Sequence, residues 1–117
     1  MNKENKLFTI GVDLGGTKID AAVVDSSGNL LSSNYKLIGD DKSPQKVISD
    51  IIDSIYKCLE QSGVQVSAIG LAVAGQIDRV EGIVKHSPNL PQWQNTPLRH
   101  ELEKVFRVPV TINNDVR

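Results

Sequence analysis

The sequence holds one cysteine, Cys58, so no internal disulfide can form, and one thiol with two distant histidines, His86 and His100, is no zinc site. Staples are not needed at this length, because a domain of this size hides about two thirds of its surface on folding. The 117 residues suit one domain and are too few for two. Charge of one sign is also lacking: 13 Lys plus Arg stand against 14 Asp plus Glu, mixed along the chain, which leaves no basic footprint for nucleic acid or an anionic membrane surface. No apolar run approaches the roughly 18 residues of a membrane span, and the polar Met1 to Lys6 is no secretory leader. A cytoplasmic protein, bound to neither nucleic acid nor membrane, is expected.

Short apolar runs punctuated by turn residues are present instead. Leu7 to Leu14, closed by Gly15 and Gly16, reads as a buried strand; Thr17 to Asp25 is a second, ended by Ser26, Ser27, Gly28 and Asn29; Leu30 to Leu37 is a third. Connections this short make the three an antiparallel meander. Ser43 followed by Pro44 is a helix start, with apolar residues at spacings of three and four from Val47 to Leu59 and a stop at Gly63. Val66 to Ala74 reads as a strand buried on both faces and parallel to the first. Gln76 to Val80 and Ile83 to His86 can form a short hairpin. Thr96 and Pro97 repeat the cap-plus-proline device before a second helix, and Pro109 to Ile112 is the last strand, delivering Asn113, Asn114 and Asp115 at its end. The reading is α/β, a mixed five-stranded sheet in the order β-β-β-α-β-α-β.

Two clusters could carry chemistry. The segment Gly11 to Lys18 fails as a P-loop, because Thr17 precedes Lys18 and a strand follows, and its glycines lack the dinucleotide spacing. What remains is Asp13 at a strand end followed by a glycine turn. Such a turn permits positive φ and lets backbone N–H groups approach phosphate oxygens, with Thr17 and Lys18 as further donors and Asp13 facing a nucleotide-bound metal. An ordinary hairpin stays open as the alternative. The second cluster is Asn113, Asn114 and Asp115. Ligands gather at the carboxyl ends of parallel strands, so this triplet and the loop after Ala74 should open on the same edge as Gly15 and Gly16. A carboxylate there can take a proton from a hydroxyl nucleophile; an Asx turn is the plainer account.

Taken in order, Asp13-Leu14-Gly15-Gly16-Thr17-Lys18, Ala74-Gly75, Glu81-Gly82, Asn89-Leu90 with Trp93, and Asn114-Asp115 resemble the N-terminal lobe of the ROK family of bacterial sugar kinases and sugar-responsive repressors. The resemblance covers nearly all of the chain and implies a ribonuclease H-like (actin-like ATPase) domain. It implies that Asp13, Gly15, Gly16, Thr17 and Lys18 form the ATP phosphate hairpin, with Mg2+ held by Asp13 through water. It further implies that Asp115 is the catalytic base, and that Gly75, Gln76, Asn89, Asn114 and Asp115 contact the sugar. Ala74 stands where the family usually has Pro, and Val116 where a smaller residue is usual.

The family's second lobe, with its zinc motif, adenosine pocket and remaining sugar ligands, has no counterpart in residues 1–117, so a structural zinc would belong to that lobe alone. The expected activity is ATP-dependent phosphorylation of a hexose or N-acetylhexosamine, by a protein that in full-length form is compatible with homo-oligomerisation; the isolated chain is expected to be inactive. A sugar-sensing regulator and another actin-like ATPase are the alternatives. Repressors of the family carry a helix-turn-helix ahead of the first motif; only 12 residues precede Asp13, which favours the kinase if Met1 is the native start.

Overall fold

The computed structural model describes residues 7–114. Three strands come first: β1 (Phe8–Leu14), β2 (Lys18–Asp25) and β3 (Leu30–Leu37). Their connections are too short for crossovers, and both pairings, β1 with β2 and β2 with β3, are antiparallel. The helix α1 (Pro44–Ser62) then carries the chain back so that β4 (Ala68–Val73) lies parallel to β1. A small second sheet of β5 (Gln76–Asp78), β6 (Ile83–His86) and β7 (Gln94–Thr96) follows, then α2 (Leu98–Phe106), then β8 (Val110–Asn114) parallel to β4. The main sheet is mixed, in the spatial order β3-β2-β1-β4-β8.

Alternation along the strands decides which face is the core. Ile10, Val12 and Leu14, then Ile19, Ala21 and Val23, then Ile69, Leu71 and Val73, then Val110 and Ile112 are all buried in one cluster with Val47, Ile51 and Ile55 of α1 and Leu98 and Leu102 of α2. The other face presents small side chains, Gly11, Ala22, Gly70 and Ala72 among them, and opens into a groove of about 870 Å³.

Local chemistry fixes α1 at both ends. The Ser43 hydroxyl accepts from Lys46 N–H at 3.4 Å, Pro44 opens the first turn, and Gly63 at φ 70° donates its N–H to Leu59 O at 2.9 Å. Polar groups then tie α1 to the meander. Asp50, almost fully buried, takes Lys46 at 2.8 Å and Lys36 of β3 at 3.1 Å. Cys58 is wholly buried, its thiol donating to Ala21 O at 3.3 Å, and burial pushes its pKa up, so it is a structural side chain and not a reactive one.

Four expectations are corrected. The segment read as buried on both faces, here β4, buries Ile69, Leu71 and Val73 on one face only, while Gly70 and Ala72 line the open groove. Thr96 does not cap α2: it is buried in β7 opposite Val84, the N-cap is Pro97 with no side-chain bond, and a first-turn donor, Arg99 N–H, is taken by Gly82 O at 3.1 Å. The strand β7 widens the expected hairpin to three strands. The last strand continues past Ile112, because Asn113 and Asn114 keep pairing with Ala72 and Val73 of β4.

Candidate functional site

Because β1, β4 and β8 are mutually parallel, their carboxyl ends share one edge, with Leu14, Val73 and Asn114 level across the three strands. The Gly15-Gly16 turn, the Ala74-Gly75 junction and the end of β8 therefore meet there, as the spacing predicts. Asp115 lies outside the described residues.

The turn is tight, with Gly15 N–H donating to Lys18 O at 3.0 Å and Thr17 O accepting from Ile38 N–H at 2.8 Å. Neither Gly15 nor Gly16 takes a positive φ, so the freedom anticipated for this pair is not what the turn uses. Gly16 is needed for space. A Cβ on it would stand 3.2 Å from Cγ and Oδ1 of Asn89, which means that the side chain of the loop after β6 rests directly on the turn.

That loop is anchored from below. Leu90 and Trp93 are fully buried, and of the two successive turns (Leu90 N–H to Ser87 O, 3.1 Å; Trp93 N–H to Leu90 O, 2.9 Å) the first carries Asn89, which stays half-buried. The indole N–H of Trp93 donates to Lys42 O at 3.1 Å, and the Lys42 ammonium donates to Gly16 O at 3.0 Å. Lys42 sits in the loop between β3 and α1, outside every motif in the sequence.

Gly75 has φ 133°, a region that side chains rarely adopt. A Cβ there would run into the His86 carbonyl oxygen and stand 2.9 Å from Ser87 Cα, so this glycine lets the start of the second sheet pass against the end of β6. Gln76, next to it, is exposed at the start of β5.

Strand alternation separates the remaining residues. Asp13 and Asn113 line the open groove, with Asp20 directly across from Asp13 in the β1–β2 register, whereas Asn114 alternates to the side on which α1, Leu90 and Trp93 pack. The Lys18 ammonium is turned along the groove face, 3.7 Å from Asp20 and 5.4 Å from the centre of the Tyr35 ring. Lys42, not Lys18, is the cation whose ammonium is seated on the turn. No cluster of three or more His, Cys, Asp or Glu among the described residues could cage a metal, and no helix there is long and apolar enough to cross a membrane.

The model of the ROK family matches residues 9–117. The chain belongs to the ROK family. It is 37% identical over 111 residues to a glucokinase of Streptomyces coelicolor, covering 92% of this chain and 32% of that protein. It is 34% identical over 109 residues to a xylose repressor of Caldicellulosiruptor bescii, covering 91% of this chain and 27% of the repressor. Among solved structures, a ROK family glucokinase from Streptomyces griseus in complex with glucose and AMPPNP superposes with a TM-score of 0.82 at 34% identity, over 92% of this chain and 33% of that one. The fold is that of the actin-like ATPases. The chain spans about a third of the length of the glucokinases that it matches.

Proposed function

We propose that the chain is the N-terminal lobe of a cytoplasmic, ATP-dependent sugar kinase that phosphorylates a hydroxyl of a hexose or N-acetylhexosamine. The observation that carries this reading is the contact of Asn89 with Gly16, which sets a polar loop side chain against a glycine turn at the carboxyl edge of three parallel strands. Phosphoryl transfer is mostly positioning and charge neutralisation, and it needs the acceptor hydroxyl within reach of the phosphate. A turn that touches a sugar-side loop supplies that proximity. The glucokinase of known structure with glucose and AMPPNP supports the pairing of substrates.

In this reading Gly15, Gly16, Thr17 and Lys18 hold the phosphates, and Asn89, Asn114, Gly75 and Gln76 shape the sugar pocket. Asp115 takes the proton of the attacking hydroxyl. Mg2+ keeps most of its water and binds through one or two carboxylates plus phosphate oxygens; Asp13, with Asp20 opposite it, fits that manner of binding. When bound, the ion neutralises charge on the transferred group.

The test is turnover with ATP, Mg2+ and a panel of hexoses and N-acetylhexosamines by the protein carrying both lobes, with Asp115→Asn alongside. The variant is expected to lose about two to four orders of magnitude in kcat at nearly unchanged sugar affinity. A variant that keeps most of its turnover removes Asp115 from the role. The similarity to a xylose repressor favours one second reading, a sugar-responsive regulator; sugar-dependent release of DNA without ATP turnover would establish it.

A further inference from the structure

We infer that Lys42 is a positioning residue for the phosphate turn, joining it to the sugar-side loop; this rests on the kinase reading above. Two bonds meet at this residue. Its ammonium donates to Gly16 O at 3.0 Å, and its own carbonyl accepts the indole N–H of Trp93 at 3.1 Å. Trp93 is fully buried, so the second bond fixes the Lys42 backbone against a rigid part of the core. From that fixed backbone the side chain reaches the turn.

The consequence follows from peptide geometry. In a trans peptide the carbonyl and the following N–H point in opposite directions, so pinning Gly16 O toward Lys42 aims Thr17 N–H away from it. The next carbonyl, Thr17 O, is already held by Ile38 N–H at 2.8 Å. With both carbonyls tethered, the orientation of the Thr17 amide is set before any ligand arrives, and a preoriented donor costs no reordering when a phosphate binds. Lys42 is partly buried, and its ammonium is directed at a backbone oxygen of the turn, an arrangement that a purely solvated surface lysine does not need.

The side-chain and backbone bonds of Lys42 are separable, which makes the inference testable. Lys42→Met keeps the stem and the carbonyl that holds Trp93 but loses the ammonium; Lys42→Arg keeps a cation. In the protein carrying both lobes, Lys42→Met is expected to raise the KM for ATP about five- to twentyfold while the sugar KM stays within about twofold, and Lys42→Arg to recover most of the loss. On the 117-residue chain, NMR of Lys42→Met should show shifted Gly16 and Thr17 amides with the indole N–H signal of Trp93 unmoved. Trp93 is the only tryptophan, so that signal has one assignment. Unmoved Gly16 and Thr17 amides overturn the inference whatever the kinetics, and so does an unchanged ATP KM in a Lys42→Met enzyme that turns over. Shifted amides in a protein whose wild type phosphorylates no sugar overturn the kinase reading while leaving the hold of Lys42 on the turn in place.

Discussion

The side chain of Asn89 lies across the Cα of Gly16, so close that a Cβ on the glycine would stand 3.2 Å from both Cγ and Oδ1. Two segments far apart in sequence are thereby in register at the strand edge. Gly16→Ala requires Asn89 to move by a few tenths of an ångström, and in the proposed reading, where Asn89 shapes the sugar pocket, that displacement costs orientation before it costs stability. The sugar KM is expected to rise about three- to tenfold, with the urea midpoint nearly unchanged. Steady-state kinetics with the sugar varied at saturating ATP is the check. An unaltered sugar KM would separate Asn89 from the sugar pocket.

At Gly75 the same substitution acts on the fold. Alanine there adopts a strained φ near 133° and drives its Cβ into the backbone of His86, which has no side-chain freedom with which to yield. Gly75→Ala is expected to cost about 2 to 4 kcal/mol. Urea denaturation should show a lower midpoint at an unchanged slope. A loss under about 0.5 kcal/mol, the size of an ordinary surface change, would mean that the second sheet is free to shift away from β4.

What was legible in the sequence was local. Ser43 with Pro44 and Gly63 bound α1 where they stand, because caps act through neighbouring backbone groups and need no tertiary partner. Thr96 with Pro97 carries the same signal and fails, because pairing with Val84 buries the threonine in a strand. That strand, Gln94–Thr96, has no apolar alternation, and Asn95 within it sits at φ 51°, so neither composition nor propensity marks it. The candidate site divides in the same way. Gly15 and Gly16 are visible as turn residues and Asn89 through the resemblance, whereas their contact depends on burial of Leu90 and Trp93. Lys42 has no signal at all: one lysine in a polar loop acquires meaning only when Trp93 fixes its backbone and Gly16 receives its ammonium.

Asp50 gives the fold a predictable acid dependence. Burial alone would raise its carboxyl, but the hydrogen-bonded ammonium groups of Lys46 and Lys36 outweigh burial and hold it below the ordinary 3.8. A carboxylate depressed in the folded state adds stability above its unfolded pKa and loses that contribution as pH falls through the folded value. Lys36 is raised above 10.5, chiefly by its bond to Asp50, so it stays charged throughout this range. Asp50→Asn is expected to cost about 1 to 2 kcal/mol at pH 7, with the gap to wild type narrowing from about pH 4 downward. Urea unfolding at a series of pH values reads both. A gap that stays constant down to pH 2.5 would show that the charge on Asp50 contributes nothing.

The 117-residue chain should fold and yet fail as an enzyme. Its helices pack one apolar face of the sheet, and the caps of α1 and the ties from Asp50 and Cys58 all close within the described residues. Its proposed share of the active site is narrower: the phosphate turn and part of a sugar pocket lie along one open edge, and among the described residues no second wall excludes water or seats a nucleobase. A few backbone N–H groups cannot supply the whole affinity for ATP. The expected result is a cooperative urea transition together with no sugar phosphorylation and no heat of ATP-Mg2+ binding at micromolar concentration. Calorimetry and a coupled assay on this chain decide it. Micromolar ATP binding or any turnover would place the nucleobase and the water-excluding wall within these residues and overturn the proposed division of the site between two lobes.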